Sequence, residues 1–383
     1  MNVFIPKEAD PNEPRIPLTP SAVERLVKLG AVVEVETGLG ATLQYTDEAF
    51  GQAGATVVAD RHKALGRADL VLRLHKPPRD EISAMKQGAI HISHLDPFNE
   101  TDVIQDLASA GISALSMELI PRTTIAQKMD ALSSQASLGG YVAVILAAER
   151  LNKILPMMMT PSGVISPSRV FVIGAGVAGL QAIATAKRLG ARVDAFDTRP
   201  VVEEQVHSLG ARFIKVDLGE TGQTKDGYAR ELTEEQLQKQ REAMAKACAQ
   251  ADVVITTAQV FGRKAPVIVT REIIERMKPG SVIVDMAVET GGNVEGSRLN
   301  EDVDINGVAV LGFGNLPGRV PEHASQMYAN NLVNLVDHFW DKEIKTFPIN
   351  QDEAIIQGCL VTHGGAIVHP AIRKKLNLDA EDA

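Results

Sequence analysis

Residues 169–197 read RVFVIGAGVAGLQAIATAKRLGARVDAFD, and the fold class follows from them. Val170 to Ile173 is an apolar run of strand length. Gly174, Gly176 and Gly179 follow with G-x-G-x-x-G spacing. Between Val177 and Leu189 the period places Leu180, Ile183, Ala184 and Leu189 roughly on one helical face. Lys187 and Arg188 stand near the helix's negative end. Gly190 stops the helix, and a second run, Val193 to Phe196, ends in Asp197. The order is strand, glycine turn, helix, strand, acid.

Each part has a chemical task in holding a dinucleotide. Gly174 permits the tight turn, Gly176 lets the backbone approach a pyrophosphate, and Gly179 lets helix and strand pack closely. The helix N-terminus, at Val177 and Ala178, offers free N–H groups and a positive dipole end to phosphate. Asp197 lies 18 residues past Gly179, where such an acid accepts from a ribose hydroxyl. A carboxylate there repels a 2′-phosphate and favours NAD over NADP. Arg199 pulls the other way, because an arginine nearby can hold that phosphate. The bland reading, a structural glycine turn, explains neither the acid nor the spacing.

At 383 residues the chain has room for two domains, each with its own core. Its 45% hydrophobic and 23% charged content is that of a soluble globular protein. A net charge of −9 argues against nucleic acid as a partner. The two cysteines, Cys248 and Cys359, lie far apart and form no metal-ligand pattern, so no metal is expected. They fit a reducing, cytosol-like compartment. MNVFIPKEAD lacks the regions of a signal peptide. The uncharged stretch Ser137 to Ala148 is too short to span a bilayer.

Residues 1–120 alternate apolar runs (Val3–Ile5, Val32–Val35, Thr56–Val58, Leu70–Leu74, Ile90–Ile92, Ile112–Met117) with helical patterns near 20–29, 47–53, 60–66, 80–86 and 100–110. That is βαβ repetition and predicts a largely parallel sheet. It has no glycine triplet, so it reads as a second doubly wound domain without its own dinucleotide motif. Pro6, Lys7, Glu8 and Arg15 fall in and after its first connection, either as a solvated loop or as site residues.

Residues 121–135, PRTTIAQKMDALSSQ, bring Arg122, Gln127, Asp130 and Ser133 together just after a strand end. Ligands collect outside the carboxyl ends of such strands. The i, i+3 steps would put Gln127, Asp130 and Ser133 near one face of a helix. The bland alternative is a capped helix start, with Asp130 or Ser133 as cap, and spacing alone favours it. A long helical pattern then runs from Ala131 to Ile154. Met157 to Met159 read as core filler. Residues 217–232, DLGETGQTKDGYAREL, suit a mobile surface loop, with Tyr228 after Gly227 as its only aromatic. A helix with Thr233 as N-cap follows, then strands at Val253–Thr257, Val282–Met286 and Val308–Leu311, and a helix over 321–341. The expected architecture is α/β: two doubly wound Rossmann-like parallel-sheet domains joined by long helices. The first spans 1–135 plus 322–383 and the second 136–321.

RTTIAQKMDALSSQ, PMMMT, GAGVAGLQAIATAKRLGA, GYAREL, MKPGSVIVDMAVETGGN and GAIVHP together resemble the soluble NAD(H)-binding domain of proton-translocating nicotinamide nucleotide transhydrogenases. The resemblance covers nearly the whole chain. It implies that Arg122, Gln127, Asp130 and Ser133, with Thr123, Thr124, Lys128 and Met129, meet the nicotinamide end of NAD(H). It further implies cofactor contacts at Gly174, Gly176, Val177, Ala178, Gly179, Asp197, Thr198 and Arg199, at Gly227 and Tyr228 of the loop, and at Gln240 and Gln259. The partners implied are an NADP(H)-binding domain, which carries NADP(H), and a membrane proton-channel domain. A homodimer, cytoplasmic and peripheral on the inner membrane through partner subunits, is also implied. Alanine dehydrogenase is the alternative relative. That family's substrate lysine falls at His75 here, its histidine at His94 and its acid at Glu289. A non-catalytic NAD sensor would keep the glycine motif without the polar cluster at 122–133.

Overall fold

The computed structural model describes residues 1–216, 233–260 and 262–378. The expected mobile loop, with Gly227 and Tyr228, lies outside the described residues. The chain forms two compact units, residues 1–135 with 320–383, and residues 136–319.

In chain order the first unit contributes β1 (Asn2–Ile5), β2 (Val32–Glu36), β3 (Thr56–Val58), β4 (Leu70–His75), β5 (Ile90–His94) and β6 (Ser113–Ser116). The second contributes β7 (Met158–Thr160), β8 (Gly163–Ile165), β9 (Arg169–Ile173), β10 (Arg192–Phe196), β11 (Arg212–Phe213), β12 (Val253–Thr256), β13 (Val282–Asp285), β14 (Glu301–Ile305) and β15 (Val308–Gly312). The chain then returns to the first unit with β16 (Leu360–His363) and β17 (Ala366–Ile367).

The first sheet runs β17-β16-β6-β5-β4-β1-β2-β3 and the second β11-β10-β9-β12-β13-β15-β14. Numbered within each unit, six parallel strands follow the order 3-2-1-4-5-6 of a doubly wound sheet. Antiparallel strands close one edge of each: β14 beside β15, and β16 with β17 beside β6. Crossover helices cover both faces, so the inner strands are buried and read as continuous apolar runs. Alternation along β1 shows the two faces: Val3 and Ile5 join one core cluster, Phe4 the other. The Pro321–Phe339 helix adds Tyr328, Leu332, Val333 and Val336 to the first cluster.

Several expectations change. Met157, Met158 and Met159 are 59%, 44% and 71% exposed, not core filler. Met158 and Met159 lie in β7, which among the described residues pairs only with β8, and Val164 and Ile165 opposite are exposed too. The long helix ends at Arg150, not Ile154. It runs Ala131–Arg150, so the short uncharged stretch understated its length. Among the described residues it is the one helix long and apolar enough to cross a membrane, and half of its most apolar window is buried. On the Val177–Arg188 helix the buried residues are Gly179, Ala182, Ile183, Thr185 and Ala186. Of the four residues that the period places on one face, Ile183 is buried, Leu180 and Ala184 are half-buried and Leu189 is exposed. Cys248 and Cys359 are free and buried, and burial pushes both thiols up to about 12.

Candidate nucleotide site

The glycine turn of the second unit joins β9 to the Val177–Arg188 helix. Gly174 has φ +97°, a left-handed conformation that glycine adopts without strain. A Cβ on Gly179 would lie 1.9 Å from the Gly174 carbonyl oxygen, so only glycine lets the helix sit against the turn. A Cβ on Gly176 would meet only Arg199 Nη2, at 3.9 Å, and the open space there fits a pyrophosphate approaching the backbone. No acid stands in the helix's first turn, which leaves its positive end to a ligand.

Asp197 follows β10 and ties the rim together. Its Oδ2 accepts from Ala175 N–H at 2.8 Å, and its Oδ1 from Arg199 N–H at 2.8 Å. The Arg199 guanidinium donates to both oxygens, Nε at 2.9 Å and Nη2 at 2.8 Å. Arg199 is thus held by the acid, and its charge lies beside Gly176. Thr198 sits between them, half-buried. Just past β12, Thr257 Oγ1 donates to Gly174 O at 3.1 Å, backing the turn. Gln259 is exposed, its Nε2 donating to Met286 O at 2.7 Å, and Gln240 is buried. Thr257 carries no sequence signal of its own. Only the parallel pairing of β9 with β12 brings it to the turn.

In the first unit the cluster at 122–133 does not lie on one helix. Ala126–Met129 is a 3-10 turn, Asp130 is extended, and the Ala131–Arg150 helix begins after it. Asp130 Oδ1 accepts from Ser133 N–H at 2.8 Å and Oδ2 from Ser133 Oγ at 2.6 Å, so Asp130 caps that helix. Arg122, Thr123, Thr124, Gln127 and Lys128 are exposed, whereas Met129 is core. Asn331 and Asn334 both donate to Lys128 O at 3.0 Å, which fixes this loop to the Pro321–Phe339 helix.

The same unit buries a second polar group. Arg15 donates through Nε and Nη2 to Glu13 and through Nη1 to Gln135 Oε1, at 2.8, 2.7 and 2.9 Å. His75 Nε2 lies 2.8 Å from Glu13 Oε2. Burial opposes ionisation of Glu13, but Arg15 and His75 hold its carboxyl well below the usual range. The Glu118 carboxylate, with its side chain only 8% exposed, lies 3.7 Å from His94 Nδ1. Among the described residues no cluster of His, Cys, Asp and Glu could hold a metal ion.

Two family models match, "Alanine dehydrogenase/PNT, N-terminal domain" over residues 4–139 and "Alanine dehydrogenase/PNT, C-terminal domain" over 143–370. The chain is 45% identical over 379 residues to the first of the polypeptides that make up the NAD(P) transhydrogenase alpha subunit of Rhodospirillum rubrum, covering 97% of this chain and 99% of that protein. It is 28% identical over 388 residues to alanine dehydrogenase of Bacillus subtilis, covering 99% of this chain and 96% of that one. The solved transhydrogenase from Sinorhizobium meliloti superposes with a TM-score of 0.86 at 43% identity, over 96% of this chain and all of that one. The chain therefore belongs to the alanine dehydrogenase/PNT family, and within it to the NAD(P) transhydrogenase alpha subunits, whose kinship implies that it binds NAD(H).

Proposed function

We propose that this chain is the NAD(H)-binding component of a proton-translocating transhydrogenase. The dinucleotide supplies a hydride that passes directly to NADP⁺ held by a partner's NADP(H)-binding domain. The acceptor is a nicotinamide cation, so no proton moves and no general base is needed. The protein's task is orientation and exclusion of water. Gly174, Gly176, Val177, Ala178 and Gly179 cradle the pyrophosphate, and Asp197, Thr198 and Arg199 recognise the adenosine ribose. Arg122, Gln127, Asp130 and Ser133, with Thr123, Thr124, Lys128 and the Met129 backbone, hold the nicotinamide half. Gly227 and Tyr228, which lie outside the described residues, and Gln240 and Gln259 add contacts to the dinucleotide. Proton translocation resides in the partner membrane domain, which anchors the chain at the cytoplasmic face of the inner membrane. A homodimer is supported by the exposed apolar β7–β8 pair.

The observation that carries this reading is the glycine turn with Asp197 bonded directly to it. The alternative, alanine dehydrogenase chemistry, is disfavoured by His75 in the lysine's place and by Arg15, whose guanidinium is engaged by Glu13 and Gln135. The test mixes the protein with an NADP(H)-binding domain and follows hydride transfer from NADH to an NADP⁺ analogue. Gln127→Asn, which shortens the reach by one methylene, is expected to slow transfer roughly a hundredfold with a modest loss of NADH affinity. Absence of transfer in the wild type, or NADH oxidation with pyruvate and ammonia, sinks the reading.

A further inference from the structure

Asp285 closes β13 and is fully buried. Its Oδ1 accepts from the N–H groups of Ala287 at 3.0 Å and Asn293 at 3.1 Å, and from Thr256 Oγ1 at 3.3 Å. Its Oδ2 accepts from the N–H groups of Asn293 at 3.1 Å and Val294 at 3.3 Å. Each of these donors is neutral. The loop that wraps the carboxylate needs glycine at 292, where φ is +82° and a Cβ would stand 2.7 Å from Oδ2.

The loop ends at Asn293, also fully buried. Asn293 Nδ2 donates to Ala258 O and Pro266 O, both at 2.8 Å, and its Oδ1 accepts from Ala258 N–H at 3.0 Å. One amide thus clamps the loop after β12 to the loop after β13. Thr257, the neighbour of Ala258, backs Gly174. A connected path runs from Asp285 through Asn293, Ala258 and Thr257 to the glycine turn.

The strand order gives this path a direction. β10, with Asp197 after it, lies on one side of β9; β12 and β13 lie on the other. A dinucleotide crossing at this switch point lays its adenosine half toward β10 and its nicotinamide half toward β12 and β13. We infer that Asp285 and Asn293 are positioning residues, which shape the loops after β12 and β13 to receive the nicotinamide half of the dinucleotide. The inference rests on the nucleotide site proposed above. Neither side chain touches the dinucleotide; both act through the backbone of residues 257–260 and 286–292. A carboxylate is required at 285 because N–H groups converge on both its oxygens, and an amide would turn its own N–H group toward donors.

Asn293→Ala leaves the Asp285 anchor and the glycine turn in place, and removes the side-chain partner of three backbone groups, on Ala258 and Pro266. ADP-ribose and NADH affinities are measured by calorimetry on the full chain, beside thermal unfolding and hydride transfer with the NADP(H)-binding domain. ADP-ribose, which lacks the nicotinamide, is expected to bind within about threefold of wild type, NADH about tenfold more weakly, and transfer to slow roughly a hundredfold. Asn293→Ser, which keeps one short donor, makes the same comparison if the alanine variant does not fold. Asp285→Asn is expected to show the same split. Equal weakening of ADP-ribose and NADH, or no change in either, overturns the positioning role. A wild-type chain that binds neither ligand overturns the nucleotide site itself, a different failure and one seen before any variant is made.

Discussion

Asp197 holds two backbone N–H groups and a bidentate arginine, so its carboxylate shapes the turn as well as offering an acceptor to a ribose. The wild-type chain is expected to bind NADH well and NADPH poorly. Asp197→Asn removes the charge at nearly constant shape, and is expected to weaken NADH about tenfold and to shrink its lead over NADPH. Fluorescence titration with both reduced nucleotides checks this, and equal affinities in the wild type refute the role. Glu118 marks a second kind of residue effect, on stability. Burial opposes its ionisation, but His94, Ser116 Oγ and the Asp96 N–H outweigh burial and bring it to about 2 from the ordinary 4.5. The folded value is depressed, so its contribution is complete above about pH 4.5 and is lost as pH falls through about 2. That contribution is on the order of 3 kcal/mol. Denaturant midpoints from pH 5 to pH 2 are expected to fall less steeply in Glu118→Gln than in wild type, and parallel curves count against this assignment.

Among the elements, the Ala131–Arg150 helix carries an unexpected constraint. A Cβ on Gly140 would lie 2.2 Å from the carbonyl oxygen of Ala178, in the first turn of the helix that follows the glycine motif. Alanine normally favours a helix interior by about 1 kcal/mol over glycine. Here Gly140→Ala is expected to destabilise by about 1–3 kcal/mol, because backbone must move to admit the methyl. The moving backbone belongs to the phosphate turn, so NADH affinity falls with the melting temperature. Thermal unfolding and NADH titration check both, and a stabilised variant with native affinity disproves the contact. This contact is not legible in the sequence, where GGYVAVILAAER shows only helical period. The strand–turn–helix–strand unit is legible, because parallel strands buried on both faces are apolar without interruption and the turn demands glycine. The inward face of that helix is not. Its period gives an angular stripe, but Gly179 and the small Ala182 and Ala186 decide which side meets the sheet.

At the scale of the molecule, alternation of strand and helix reveals two doubly wound sheets, while their antiparallel edges stay hidden. β16 pairs with β6 across about 250 residues, and no local pattern reports a partner so distant. The candidate site divides the same way. Glycines and acids announce themselves through motif spacing, whereas Thr257, Asp285 and Asn293 acquire meaning only from strand order. The methionines at 157–159 mislead because composition cannot tell an exposed pair of short strands from a core.

The two buried thiols have a use at the bench. Cys248 and Cys359 are both enclosed and stay protonated well above neutral pH, and the chain has no others. Maleimides and Ellman's reagent attack thiolate, so the native protein is expected to give no prompt colour, and two equivalents after unfolding in denaturant. Prompt reaction of either thiol in the folded chain contradicts the enclosure. Given that silence, the wild-type sequence already serves as a background for spectroscopic labelling. A dye or spin probe placed through Val164→Cys would report on the exposed β7–β8 pair alone, with no native cysteine to remove first.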